Sequence, residues 1–340
     1  MKNIKNSNKP SFFKKLFIKI SRKLGYEIID QNNFEVVTSN KKIDEHLSTL
    51  GHKSINLPLG EVKITRKVKT LDIIIRTCAS VNMLTQNKSR LFEKKKIEYT
   101  IRTIRSLLNS SKNHDLKKLE INFKVIDHNS TSENLGAIAS VFKEFGKKYS
   151  LINLDVSKFI NKIEKINQRD EKVTDNQISN MANIHQSLLE AKKCEDLIYF
   201  VEDDYIHKKD SLKEMIFTYE RLASQINNEV ILCPTDYPYL YAKSEMTQNF
   251  LGQNYHWRKV NETLCTFLTS KKMIEKYWDK YVSMCEKEHS PFEKPLHDIY
   301  ENELCLSPIP SLALHFTNVN SIFGLSPNVN WKKVWDQNEN

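Results

Sequence analysis

Glycine is scarce in this sequence, with 7 among 340 residues, and neither G-x-x-x-x-G-K nor G-x-G-x-x-G occurs. Such loops use glycine so that backbone N–H groups can approach a pyrophosphate closely, so P-loop and dinucleotide-fold readings lose their main support. The six cysteines (Cys78, Cys194, Cys233, Cys265, Cys285 and Cys305) lie far apart with no C-x-x-C pair. That spacing argues against a structural zinc site and for reduced thiols in a cytoplasmic protein. No apolar run approaches the length of a bilayer span, and lysines interrupt the one N-terminal stretch that resembles a secretory segment. Acids are missing from the first 26 residues, which hold eight Lys and Arg. Without that arm, 44 of the 52 basic residues remain against 42 acidic ones, so the net charge of +10 belongs to one end. A body so close to neutral is a poor binder of phosphate backbones, and no nucleic-acid partner is expected.

Within the arm, residues 11–24 (SFFKKLFIKISRKL) follow Pro10 and predict a basic amphipathic helix. Phe13, Phe17, Ile20 and Leu24 fall at helical spacing, and Gly25 is its stop. Residues 1–25 then read as an arm resting on an anionic membrane surface, on the inner face of the cell membrane. The plainer reading is a helix docked on its own domain with a solvated basic face. Residues 26–70 read as a polar connector with a short helix near residues 42–50.

From residue 71 the chain alternates between strand and helix signals. Residues 71–78 are β-branched and predict a first strand. Ile97, Ile101, Ile104 and Leu108 predict a helix after it. Residues 123–131 form a strand running into a polar turn, residues 149–154 a third strand, and residues 178–191 a helix. This order predicts an α/β fold with a mostly parallel central sheet flanked by helices on both sides. Asp210 is placed as the N-cap of a helix reaching about residue 223. A strand over 229–233 runs into the aromatic loop 234–241, a strand is expected over 263–269, and a helix over 271–286. The main domain spans residues 71–325. The tail, 326–340, is pinned if Trp331 and Trp335 find a surface.

The chain is organised around Leu197-Ile198-Tyr199-Phe200-Val201, followed at once by Glu202-Asp203-Asp204. A short apolar run reads as a strand buried on both faces, and carboxylates at its C-terminal end project into the crevice where open α/β sheets bind ligands. Three adjacent acids repel one another, so a positive group is expected to share the space. A divalent cation carrying a substrate phosphate fits, because hard oxygen ligands suit Mg²⁺ or Mn²⁺. A solvated acidic turn is the bland alternative. Thr77, Asp127 and, more loosely, Asp236 stand at predicted strand ends on the same edge.

At this point the pattern over roughly residues 70–320 resembles a nucleotide-sugar glycosyltransferase of the GT-A fold, close to glycosyltransferase family 2. The resemblance implies a GT-A-like sheet, a nucleotide-diphospho-sugar donor with UDP-sugars favoured, and a glycan or lipid-linked acceptor. By resemblance, Arg76 and Thr77 lie near the donor nucleoside, and Asp127 with Ser130 matches a D-x-x-S signature whose Asp contacts the base. An Asp ending a strand is equally a routine turn former. Asn183 is similar to a donor-side Asn on the helix before the metal strand. Glu202-Asp203-Asp204 resembles the D-x-D motif, with Asp204 the metal ligand and Glu202 and Asp203 on the ribose or on water. The segment Pro310-Ser311-Leu312-Ala313-Leu314-His315 resembles a late P-S-L-x-x-H segment whose His315 completes the metal shell. Asp298 is the implied catalytic base, although its partner is His297 where relatives carry an acid, and it also reads as an acid favoured by a helix N-terminus. Single-sugar transfer is implied, since no Q-x-x-R-W motif is present. The rival readings are a sugar nucleotidyltransferase, which usually needs a glycine-rich loop after the first strand, and an inactive membrane-associated binding module.

Overall fold

A computed structural model describes residues 12–26, 28, 63–80, 91–242, 246–317 and 321–339. The helix expected near residues 42–50 lies outside the described residues, as do most of the connector and the first 11 residues of the arm. Helix α1 (Phe12–Lys23) belongs to a separate unit, residues 1–61. It forms as expected and presents Phe12, Phe13, Phe17 and Leu24 to solvent. Gly25 ends it at φ +85°, and the Tyr26 N–H donates back to the Ser21 carbonyl at 2.9 Å. Only glycine takes that left-handed turn without strain.

The second unit opens with β1 (Thr70–Thr77), α2 (Lys96–Ser111), β2 (Glu120–Asp127), α3 (Ser132–Glu144), β3 (Ser150–Asn153), α4 (Asp175–Ala191) and β4 (Leu197–Glu202). There follow β5 (Tyr205–His207), α5 (Ser211–Ile226), β6 (Ile231–Leu232), β7 (Asn249–Leu251), β8 (His256–Lys259) and β9 (Phe267–Ser270). The chain closes with α6 (Lys271–Lys276), α7 (Trp278–Glu286), α8 (Lys294–Tyr300), β10 (Cys305–Ile309), β11 (Ala313–His315) and α9 (Trp331–Asp336). The main sheet has the order β3-β2-β1-β4-β9-β6-β10-β8-β7, and β5 pairs with β11 in a separate ribbon.

Alternation along β1 and β4 shows why both faces are covered. Leu71, Ile73 and Ile75 of β1, with Leu197, Tyr199 and Val201 of β4, pack on one side against α2, α3 and α5. Ile74, Ile198 and Phe200 pack on the other against α4, α7 and α8. A strand apolar at every position needs a layer on each face, and the sequence supplies amphipathic helices for both.

The sheet is less uniform than the sequence suggests. β3, β2, β1 and β4 are mutually parallel, as are β6 and β10, but β9 runs antiparallel to both its neighbours, and β8 to both of its own. Parallel neighbours need a long crossover, and between β6 and β9 the chain runs through loops and the β7–β8 hairpin with no crossover helix. The helix expected over 271–286 is two, broken at Tyr277 (φ −113°, ψ 26°). Asp210 sits at the N-cap of α5 without a side-chain capping bond, and the helix runs on to Asn227, left-handed at φ 53°.

The β7–β8 hairpin is tied down by one buried carboxylate. Glu214 of α5 accepts from the backbone N–H groups of Gln253, Asn254 and Tyr255 and from Trp257 Nε1. Gly252 lies so close that a Cβ there would stand 2.3 Å from Trp257 Nε1 and 2.5 Å from Thr218 Oγ1. At the other end of the chain, Val334 and Trp335 of α9 pack with Tyr99, Ile206, Leu314 and Phe316. Arg102 donates to the Trp335 carbonyl at 2.6 Å and lies 4.3 Å above its ring. The tail is therefore docked, held by both tryptophans that the sequence singled out.

Candidate active site

Register brings the predicted strand ends to one edge. In the parallel pairs Arg76 lies opposite Glu202 and Thr77 opposite Asp127, so β1, β2 and β4 finish together. Asp127 is buried and organises the turn after β2. It accepts from Thr77 Oγ1 at 2.7 Å, from Ser130 Oγ at 2.6 Å and from the Ser130 N–H at 3.0 Å. Ser130 Oγ in turn receives the Ala79 N–H at 2.9 Å. Thr77, Asp127 and Ser130 thus form one network that shapes the backbone where β1 and β2 end. Asn183 of α4 reaches the same strand, its Nδ2 donating to the Ile126 carbonyl at 3.2 Å while its buried Oδ1 has no hydrogen-bond partner among the described residues.

The three acids after β4 have three different surroundings. Glu202 pairs with Arg76 at 3.0 Å and accepts from Thr266 Oγ1 at 3.3 Å, and Arg76 also donates to Asn180 at 2.9 Å. Arg76 is itself buried, so it holds Glu202 in place from below. Asp203 turns inward: Lys96 meets Oδ1 at 2.5 Å, and Oδ2 accepts from Thr100 Oγ1 at 3.0 Å and from the Cys78 N–H at 3.4 Å. Asp204 stands between two groups, with Lys96 3.8 Å from Oδ2 and His315 Nε2 3.5 Å from Oδ1. The positive group that the triplet demanded is in part internal, supplied by Arg76 and Lys96.

His315 is fixed by three contacts. Antiparallel pairing of β11 with β5 sets it opposite Tyr205, and its ring stacks on that of Tyr205 at 4.5 Å and 6°. Its Nδ1 lies 2.7 Å from the Phe323 carbonyl, which can only accept, so Nδ1 carries a proton and Nε2 faces Asp204. Burial alone would lower its pKa, but Asp204, Glu202 and the Phe323 carbonyl outweigh it and raise the value above the usual range. Tyr205 is anchored behind it by a 2.7 Å hydroxyl contact with Tyr237 of the aromatic loop. Asp236, at the start of that loop, is committed to Arg258 and Tyr241.

Asp298 is not brought to this edge by any contact. It lies within α8, and its carboxylate is paired with Lys294 at 2.5 Å and Lys280 at 3.1 Å, both half-exposed. The Lys294 hydrogen bond, with Lys280 in support, holds its pKa below the normal carboxylate value, the opposite of what a general base needs. The acid that does face the site is Glu293, five residues earlier. Its carbonyl starts α8, accepting from Leu296 N–H at 2.9 Å and His297 N–H at 3.0 Å, while its side chain makes no capping bond. Burial, reinforced by the charge of Glu202, pushes its pKa up to about 7 against the pull of Arg76 and His315. All three of those residues belong to the strand-end cluster. Pro295 in the first turn of α8 is the sequence signal that would have placed Glu293 at the helix start. Lys96, hidden in the run Lys94-Lys95-Lys96, carries no such signal.

Among the described residues no group of three or more His, Cys, Asp or Glu is arranged to hold a metal ion. Asp204 and His315 are two. With Nδ1 donating to a carbonyl, Nε2 of a neutral His315 offers its lone pair toward a carboxylate oxygen. That donor set fits a Mn²⁺ or Mg²⁺ ion whose remaining positions go to phosphate oxygens and water.

No known family profile and no curated protein matches the sequence. Among solved structures the chain is similar to Staphylococcus aureus TarS, at 13% identity and a TM-score of 0.33, over 62% of this chain and 30% of that one. It is similar to the glycosyltransferase GlyE of Streptococcus pneumoniae TIGR4 at 10% identity and 0.40, over 80% and 60%. It is also similar to a Pyrobaculum calidifontis mannosyltransferase solved with GDP-Man and Mn²⁺, at 10% identity and 0.35, over 67% and 56%. The chain spans less than a third of TarS and less than two thirds of the galactosyltransferase LgtC. These are distant likenesses, and the sheet order and site geometry stand apart from them.

Proposed function

We propose that this chain is a metal-dependent, inverting glycosyltransferase that moves a sugar from a nucleotide-diphospho-sugar to a hydroxyl of a glycan or lipid-linked acceptor. The observation that carries the reading is the facing of Asp204 Oδ1 and His315 Nε2 across 3.5 Å at the C-terminal edge of the sheet. Two lone-pair groups at that separation share either a proton or a cation. A divalent cation there, when bound, neutralises charge on the departing diphosphate. Asp204 and His315 hold it, and the second ring nitrogen of His315, tied to Phe323, keeps the imidazole from turning away.

The other residues bind, shape and move a proton. The Thr77–Asp127–Ser130 network holds the nucleoside edge of the cleft, with Asn183 beneath it offering its unpartnered Oδ1. Arg76 and Glu202 line the sugar side, and Asp203 secures the turn from within. In the transfer step the acceptor oxygen bonds to the anomeric carbon as the bond to the donor phosphate oxygen breaks. Glu293 replaces Asp298 as the base that takes the acceptor hydroxyl proton, because a carboxyl poised near neutral pH is basic enough to accept it and is ionised often enough to act. Helix α1, with its aromatic side exposed and no acid among its residues, suits an anionic membrane surface where lipid-linked or envelope-glycan acceptors would be met. No described helix is long and apolar enough to cross a membrane.

A thermal-shift panel of nucleoside diphosphates tests this, with and without Mn²⁺, on wild type and on Asp204→Ala. At a hundredfold excess over Kd a bound nucleotide stabilises by about 2.7 kcal/mol. One nucleotide should stabilise in a Mn²⁺-dependent manner and lose that effect in the variant. No shift with any nucleotide would overturn the reading.

A further inference from the structure

Lys96 is the first residue of α2, and only 9% of its surface is exposed. An ammonium group is seldom so deeply placed without a task, because its desolvation is costly. Its 2.5 Å contact with Asp203 offsets that cost, but Asp203 does not depend on Lys96 alone, since Thr100 of the same helix and the Cys78 N–H hold its other oxygen. The informative contact is the longer one. Lys96 stands 3.8 Å from Asp204 Oδ2, on one side of a carboxylate whose other oxygen faces His315.

We propose that Lys96 is a positioning residue of the donor site: its ammonium occupies the Oδ2 side of Asp204 and steers a divalent cation to Oδ1 alone, next to His315. This rests on the donor-site reading above. An open carboxylate can chelate a divalent ion through both oxygens. With a resident cation against one of them, only single-oxygen ligation remains, and the ion is held on the side where imidazole Nε2 completes the pair. The same charge weakens binding of the free ion, since it offsets one of the acids that attract it. The site therefore relies on the donor diphosphate, which brings its own negative charge, to bind metal firmly. Metal and donor arrive as a unit.

The test is Mn²⁺ binding itself, read from the electron paramagnetic resonance signal of free Mn²⁺, on the full chain with and without UDP. Lys96→Met keeps the length of the side chain and removes only its charge. A unit charge acting on a divalent ion across ~6 Å in a water-like dielectric changes affinity about tenfold. Lys96→Met should therefore bind Mn²⁺ alone at least about tenfold more tightly, and the gain in affinity that UDP provides should shrink. Asp203→Asn should move the free-ion affinity the opposite way. The double variant Lys96→Met/Asp203→Asn, which restores the net charge and leaves no buried charge unpaired, should return it to the wild-type value. A merely structural lysine would lower the melting temperature and leave Mn²⁺ affinity unmoved in all three variants, and that result overturns the proposal. Wild type that binds neither Mn²⁺ nor UDP overturns the donor-site reading instead.

Discussion

Replacing Glu293 with Gln separates catalysis from stability in opposite directions. The carboxyl is held at about 7 in the folded chain against 4.5 for an unperturbed Glu, so the folded state binds this proton more tightly than the unfolded one. The sign follows: the native state is favoured when Glu293 is protonated. Its contribution is fully present below pH ~4.5, fades as pH rises toward 7, and becomes a full cost above that. A gap of roughly 2.5 units corresponds to at most ~3.4 kcal/mol, and partial exposure of the side chain reduces this to ~1–2 kcal/mol. Gln mimics the protonated acid at every pH. Glu293→Gln should match wild type near pH 4.5 and exceed it at pH 8.5, a rise of about 2–4 °C in Tm for a domain of this size. Its turnover should fall by ~10²-fold or more, the usual worth of a general base. In wild type, turnover should decline below about pH 7 as the base is protonated, an acid limb missing from the residual activity of the variant. An equal stability difference at both pH values would refute the argument, because only a titrating group makes the gap depend on pH.

Asp298→Asn should keep turnover within about twofold of wild type, since its partners are two half-exposed lysines, and should cost no more than ~1 kcal/mol in denaturant unfolding. Loss of turnover comparable to that of Glu293→Gln would return the base to Asp298. Gly252→Ala should destabilise by ~1–3 kcal/mol, as the new methyl displaces Trp257 and Thr218 from Glu214, and chemical denaturation with unchanged Tm would contradict the packing described. Phe13→Glu/Phe17→Glu should abolish sedimentation with anionic liposomes while soluble-acceptor turnover stays constant. Undiminished liposome binding would count against the membrane role of α1.

The frame of the main unit was legible because it is written locally. Alternate faces of β1 are apolar, Leu71, Ile73 and Ile75 against Ile74, and each has a helical stripe to match it. The acidic end of β4 and the edge shared with Thr77 and Asp127 follow from strand direction alone. What was not legible was decided by distant partners. Glu202, Asp203 and Asp204 are consecutive and chemically alike, yet Arg76, Lys96 and His315 give each a different environment from 126, 107 and 111 residues away. Nothing in the triplet distinguishes its members before those partners are placed. Asp298 and Glu293 exchanged roles for a smaller reason, the start of one seven-residue helix. A shift of a few residues at a helix end decides which acid meets the cleft and which meets the lysines.

The pairing of β11 with β5 has a consequence for how the protein is made. Asp204 leaves the ribosome 111 residues ahead of His315, and the ribbon that aligns them cannot zip until β11 has emerged. Through most of synthesis the acidic turn exists without its imidazole. A nascent chain therefore has no two-ligand pocket with which to scavenge ions from its surroundings, and added metal should not hasten its early folding. Lys96 is translated before the triplet and can neutralise Asp203 as soon as β4 docks on β1. Selection for metal is thereby postponed to the last act of maturation, after nearly all of the chain has found its place.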